Sequence, residues 1–170
     1  AFVMLLGFTI MAILAMRTYA LSMPLPDKII GNDGKVIATA EQIQHGQELY
    51  QSRGLQQYGS VLGHGAYIGP DFTAEYLRLT TDAAVKQYRE EGKQEPRELV
   101  KNEWRKENKY DESSKTLNWT AGQTKGFDQM VNHYRDTLTK DNTSQGLFPN
   151  AIKSEEELHD LVAFFGWTAW

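Results

Sequence analysis

Cysteine is absent from the 170 residues, which removes disulfides, thiolate metal sites, a cysteine nucleophile and any thioether-linked prosthetic group. Clustered positive charge is lacking too. Eighteen Lys and Arg against 22 Asp and Glu give a formal charge of −4, and no basic stripe runs along the chain, so nucleic acid is not an expected partner. Metal-ligand spacing is missing: His45, His64, His133 and His159 share none, and His-Glu-x-x-His does not occur. His64 alone lies in a Gly-rich loop, where a hydrogen-bonded loop residue is expected before a ligand or proton relay. Ser60 follows Gly59 without the second flanking glycine of a nucleophile elbow. Gly59-x-x-x-Gly63-x-Gly65 lacks the Gly-Lys-Ser/Thr of a phosphate loop. The Glu90-Glu91 pair sits on a charged face with no apolar neighbours to perturb it. No catalytic residue is assigned.

What is present begins with an apolar run. Residues 1–16 carry no charge and only Thr9 as a hydroxyl; Arg17 interrupts the run and residues 18–23 continue it weakly. A spanning helix needs ~20 apolar residues, and Arg17 with Tyr19 suits the far interface. Residues 1–22 therefore read as a transmembrane helix. A cleaved signal peptide would want a basic stretch before the run and a small-x-small site after it. At the other end, Ser154-Glu-Glu-Glu157 has the form of a capping box whose acids suit a helix N-terminus. Leu158, Leu161, Val162 and Phe165 follow at helical spacing, and from residue 162 the pattern becomes apolar all round. A collar of two Phe and two Trp is expected to be a liability in water, and Trp167 and Trp170 fit an interfacial belt. Residues 154–170 are thus expected to close the domain and lead into a second membrane helix. Both ends are expected to continue into a longer membrane protein.

Between them, residues 23–153 form one polar domain. Pro24 and Pro26 end the first helix, Asn32-Asp-Gly34 signals a turn, and residues 35–38 suit a short strand. Thr39 is placed to cap a helix over residues 40–53 with Ile43, Gly46 and Tyr50 on one face and Gly54 beyond its end. The pattern predicts helices over residues 72–91 with Leu77, Val85 and Tyr88 inward, and from Pro96 with Leu99, Val100 and Trp104. Another is predicted over residues 127–139, with Met130, Val131, Tyr134 and Leu138 spaced for burial. Residues 115–120 are strand-like, and the charge-rich residues 86–115 read as a solvated excursion.

The most informative segment lies between the first two of these polar-domain helices. Gly63-His-Gly-Ala-Tyr67 with Gly69-Pro70-Asp71 resembles the Gly-x-Gly-Ala-Tyr-x-x-Pro-(Asp/Glu) stretch of the cytochrome c subunit of respiratory nitric oxide reductases. In that subunit a Cys-x-x-Cys-His haem-attachment motif stands just upstream. The corresponding positions here are Leu55, Gln56, Gln57, Tyr58 and Gly59. His45-Gly-Gln-Glu-Leu-Tyr50 resembles the first cytochrome c helix, and residues 157–170 its closing helix. Gly146-Leu-Phe-Pro-Asn150 falls where the family carries its axial methionine, with Phe148 at the aligned position. Replacing all of these ligands removes both attachment and axial ligation. The pattern is similar to quinol-dependent nitric oxide reductases, which fuse a haem-free cytochrome-c-like domain to the front of the catalytic membrane subunit.

The resemblance implies a mainly α fold: a cytochrome-c-like helical domain without haem, flanked by an N-terminal transmembrane helix and the start of a second one. It implies a non-catalytic part of an enzyme that reduces two NO to N2O and water with quinol. That enzyme sits in the bacterial inner membrane, with this domain on the periplasmic or outer side. Haem b and non-haem iron belong to the catalytic transmembrane region of the same polypeptide, and no cytochrome c donor is expected. The other partner is membrane lipid. Gly65, through its carbonyl, and Tyr67, through its phenol, correspond to residues that help hold calcium in the family, with the charged ligands coming from outside this chain; otherwise Tyr67 packs in the core. A haem-sized void would cost many kcal/mol at about 24 cal/mol per Å³, so Tyr58, Tyr67, Phe72 and Phe148 are expected to fill part of the vacated site. The alternative is a stand-alone, membrane-anchored, haem-free cytochrome-c-like binding module or accessory subunit of another haem–copper oxidase.

Overall fold

Residues 2–20, 23–105, 109–140, 146–147 and 149–170 are described by a computed structural model of the chain. The uncharged N-terminal run forms helix α1, Phe2–Ala20, whose apolar side chains point outward along its whole length. Its mean hydropathy is 1.8 over an 18-residue window, none of which is buried. At 1.5 Å per residue it extends roughly 28 Å, matching a hydrocarbon core of ~30 Å. Among the described residues it is the one helix long and apolar enough to cross a membrane.

Beyond Pro24 and Pro26 the chain is extended. Strands β1 (Lys28–Ile30) and β2 (Val36–Thr39) pair antiparallel around the Asn32–Gly34 turn. β1 also pairs in parallel with β6 (Thr116–Asn118), which pairs antiparallel with β5 (Tyr110–Asp111). The resulting sheet has the order β2-β1-β6-β5. β1 and β5 cannot be read from sequence, because two- and three-residue strands carry no readable alternation and exist only through their partners.

Thr39 caps α2, Ala40–Ser52, in a full capping box with Gln42, and Gly54 follows in the left-handed region. Helix α3 spans Phe72–Glu90, and its inward stripe is Phe72, Tyr76, Thr80, Ala84 and Tyr88. That stripe turns Leu77 outward to 37% exposure, against the expectation. Helix α4, Pro96–Arg105, buries Val100 against Ala84 and Tyr88 and leaves Leu99 38% exposed. Residues 86–115 are therefore more than a solvated excursion: they supply α4 and β5, and Tyr88 donates to Glu103 at 2.7 Å.

Helix α5, Ala121–Leu138, starts at Ala121 rather than Phe127, because Thr120 and Gln123 form a second capping box. Gly122 and Gly126, which weaken a helix signal, instead let α5 approach Ala84 and Thr80 on α3. Helix α6, Glu155–Thr168, is capped by the Ser154 side chain on the Glu157 amide. The box is only half made: Glu157 turns to the Lys153 amide and to Arg53 at 2.5 Å.

α6 is the centre of the domain. Leu158, Leu161, Val162, Ala163 and Phe165 are fully buried and Phe164 nearly so, packed between α2, α3 and α5. The collar of exposed Phe at residues 164 and 165 is therefore absent. A helix apolar on every side is either buried or in lipid, and here neighbouring helices cover it. Phe165 stacks on Phe72 with centroids 4.6 Å apart and planes 4° from parallel, while Tyr50 and Phe72 meet edge-on at 6.1 Å. Phe165→Ala is expected to cost about 3–5 kcal/mol and Leu77→Ala less than about 1 kcal/mol, measured by urea unfolding. Equal losses would contradict the inside–outside assignment of α3 and α6.

Candidate functional site

The loop between α2 and α3 is built as a rigid hairpin. Leu55 starts a short 3₁₀ turn, Leu55–Gln57, and is buried. Strands β3 (Ser60–Val61) and β4 (His64–Gly65) pair antiparallel. The Ala66 amide donates to the Gln56 carbonyl at 2.9 Å, and the Ser60 amide to the Pro70 carbonyl at 3.0 Å. From the core, Tyr50 donates its hydroxyl to the Gly59 carbonyl at 3.0 Å.

Asp71 ties the hairpin to α3. One carboxylate oxygen accepts from the Ala74 amide at 2.9 Å as N-cap, and the other from Ser60 Oγ and the Gly63 amide, both at 2.7 Å. Burial pushes its pKa up, but the bonds from Ala74, Ser60, Gly63 and Thr73 outweigh that and hold it below the ordinary carboxylate value. Its contribution to stability is therefore present above about pH 4 and lost as pH falls through the lowered value.

Rigid as it is, the hairpin turns apolar groups outward. Leu62 is 57% exposed, Tyr67 85% and Ile68 77%. Tyr67 thus neither fills the interior nor packs in the core, as two of the expectations for it required; among the described residues its phenol donates to the Gly63 carbonyl at 3.3 Å. Tyr58 and Phe72 do face inward, 6.3 Å apart, whereas Phe148 lies outside the described residues. The interior is completed by Tyr50, Tyr134, Phe164 and Phe165, which contact Phe72 or one another. Sequence alone could not assign these four to the site, because they come from three separate helices.

A covalently attached haem does not fit these residues. The chain has no cysteine, Leu55 and Tyr58 are packed into the domain, and a Cβ at Gly59 would lie on the Pro70 carbonyl and 2.7 Å from the Phe72 ring. An imidazole has no room there. For calcium, Gly65 and Tyr67 offer two neutral, exposed oxygens, while the Asp71 carboxylate is already engaged. Among the described residues no group of three or more His, Asp or Glu could hold a metal.

A second cluster joins α2 to α6. Asp160, only 3% exposed, accepts from His45 Nδ1 at 2.7 Å and meets His159 Nδ1 at 3.5 Å. In the sequence His159 and Asp160 are mere neighbours; His45 joins them because Gly46 lets α2 rest on α6, and a Cβ there would sit on the Asp160 carbonyl. The Asp160 bond raises the His45 pKa, burial opposes it, and the fields of Asp160, Glu48 and Glu157 add to the rise. His133 faces Glu75 at 3.6 Å, and Glu75 accepts from Tyr134 at 2.9 Å. His64 remains exposed on the hairpin.

These elements meet at one end of the domain. The Leu62 amide donates to Thr73 Oγ1 at 3.2 Å, and Thr73 bonds Thr168 at the close of α6 at 2.9 Å. The next residue back, Trp167, donates its indole N–H to the Pro24 carbonyl at 3.0 Å, just beyond α1. The hairpin tip, the end of α6 and Pro24 therefore cluster together.

Such an arrangement is a cytochrome-c-like helical domain carried behind one apolar helix, its interior occupied by aromatic side chains. Residues 26–170 match the NorB cytochrome c-like domain family of nitric oxide reductase, and the chain belongs to that family. It is thereby assigned to part of an oxidoreductase, nitric oxide reductase. A comparison with curated proteins finds no match.

Two outcomes are expected. Asp71→Ala should cost about 2 kcal/mol, the sum of a lost cap and a lost buried hydrogen bond, and should speed amide exchange at Gly63; unchanged exchange would mean Asp71 does not hold the tip. The His45–Asp160 bond should stabilise fully below about pH 6.5 and fade as pH rises through the raised value. Denaturant midpoints from pH 6 to 9 should fall accordingly in the parent chain, and Asp160→Asn should flatten that slope; parallel slopes would refute the coupling.

Proposed function

We propose that this chain is the non-catalytic N-terminal region of a quinol-dependent nitric oxide reductase, capping the outer face of the catalytic transmembrane region in the bacterial inner membrane. The observation that carries the reading is the hairpin end. A loop held by Asp71 and Tyr50 exposes Leu62, Tyr67 and Ile68 and is tied through Thr73 to the end of α6, where Trp167 meets Pro24. Exposed apolar groups on a rigid support fit a surface that is covered in the whole protein.

The residues that would anchor a haem are replaced, so this domain carries no electron from a soluble cytochrome c. Electrons enter from quinol within the membrane, and reduction of two NO to N2O and water takes place at the haem b and non-haem iron of the catalytic region. The domain supplies no bond-making group. Its part is to cover that region, exclude bulk water, and lend the Gly65 carbonyl and Tyr67 phenol to a calcium ion whose charged ligands come from the catalytic region.

The full membrane enzyme tests this. Nitric oxide should be consumed with a quinol donor and not with reduced cytochrome c, and the denatured polypeptide should carry no covalent haem stain. Turnover driven by cytochrome c, or a stained band, would overturn the reading. The double substitution Leu62→Glu/Ile68→Glu should lower activity at least tenfold with a near-unchanged melting temperature of the domain. Tyr67→Phe should reduce bound calcium; an unaltered metal content would remove Tyr67 from the shell.

A further inference from the structure

The cleft between α3 and α4 has no part in the reading above. It encloses about 500 Å³. Its floor is apolar, formed by Leu77 and Val85 of α3, Val100 and Trp104 of α4, and Trp170 just past α6. Its rim is cationic. Arg97, Lys101 and Arg105 recur every fourth residue along α4 and all border the cleft. Asp82 is the one acid among the described lining residues, and Arg78 pairs with it at 3.6 Å. Lys101 meets Glu98 at 3.4 Å, an exposed contact of small worth. Among the described residues, neither Arg97 nor Arg105 makes an ion pair.

The position of the cleft narrows the choice of occupant. Trp170 lies three residues beyond Trp167, which is bonded to Pro24. Pro24 can be no more than about 14 Å from the end of α1, at ~3.5 Å per residue. Leu77 and Thr81 come from the first half of α3, whose start touches Thr168 through Thr73. One end of the cleft, at Trp170 and Leu77, therefore lies on the side of the domain that holds Pro24.

The geometry points to a binding site for an anionic phospholipid of the bilayer that holds α1, with an acyl chain along Leu77, Val85 and Trp104 and the phosphate against Arg97, Lys101 and Arg105. A small free anion would leave the apolar floor uncovered. A neutral apolar partner would strip water from Arg97 and Arg105, which have no counter-charge among the described residues, and from Lys101 with its exposed Glu98 contact. A second copy bound about a two-fold axis at this cleft would bring the same cationic stripe to both sides. Phosphate joined to hydrocarbon satisfies rim and floor together. The inference rests on α1 being inserted in lipid.

The test uses the full chain in nanodiscs of phosphatidylcholine, with tryptophan emission recorded as phosphatidylglycerol bearing brominated acyl chains is titrated in. Quenching should saturate at a low fraction of brominated phosphatidylglycerol and be much weaker with brominated phosphatidylcholine at the same fraction. Each cation removed should weaken the preference about fivefold. Arg97→Gln/Lys101→Gln/Arg105→Gln should raise the half-saturating fraction at least tenfold with unchanged circular dichroism. Arg97→Lys/Arg105→Lys should keep most of the preference, and Trp104→Phe/Trp170→Phe should lose most of the lipid-specific quenching. Equal quenching by both lipids, or a triple variant that titrates like the parent, would overturn the site. So would a change in oligomeric state in the triple variant without lipid selectivity, which would give the cleft to a second copy. Failure of the chain to enter nanodiscs would instead overturn the anchor reading of α1.

Discussion

The face-to-face contact between Phe72 and Phe165 organises the domain, because it joins the first residue of α3 to the C-terminal half of α6, the helix that α2, α3 and α5 cover. Offset or edge contacts around such a pair add about 0.5–1.5 kcal/mol each beyond area burial, and Tyr50 and Tyr134 both meet Phe72 edge-on. α6 must be enclosed on all sides because it presents apolar residues on all sides. α2 meets that demand by resting Gly46 on the Asp160 backbone, which brings His45 to a buried carboxylate. α3 and α5 meet it by packing closely through Gly126 and Thr80. The charged cluster and the aromatic interior thus follow from one packing requirement.

The hairpin keeps its shape through side chains of this chain alone. Its backbone is closed by its own amides, by Tyr50 from inside and by Asp71 from α3. Its apolar side chains Leu62, Tyr67 and Ile68 point away from the domain. That combination of internal rigidity and external apolarity separates a docking element from a mobile surface loop.

The charge-rich middle of the chain gains meaning in the same way. Tyr88, Val100 and Ala84 form a small satellite core that fixes α4 against α3, with Glu103 bonded to Tyr88 and Thr120. The other side of α4 keeps its cations, so the residues that looked like a solvated excursion make one wall of a cleft with an apolar floor.

Local patterns in the sequence determined much of this protein: the apolar first helix, the caps at Thr39 and Ser154, the end of α2 at Gly54, and the extent of α3. Each is encoded within a few neighbouring residues, through periodicity, hydrogen-bonding side chains or a short motif. Only the tertiary structure decided that α6 is covered by helices, that Tyr67 faces outward while Tyr50 and Phe165 occupy the interior, that His45 meets Asp160, and that β1 and β5 exist. Those outcomes depend on which distant surfaces meet. Apolar spacing shows that a side chain seeks cover; it carries no information about whether that cover is a bilayer, a cofactor or another helix of the same chain.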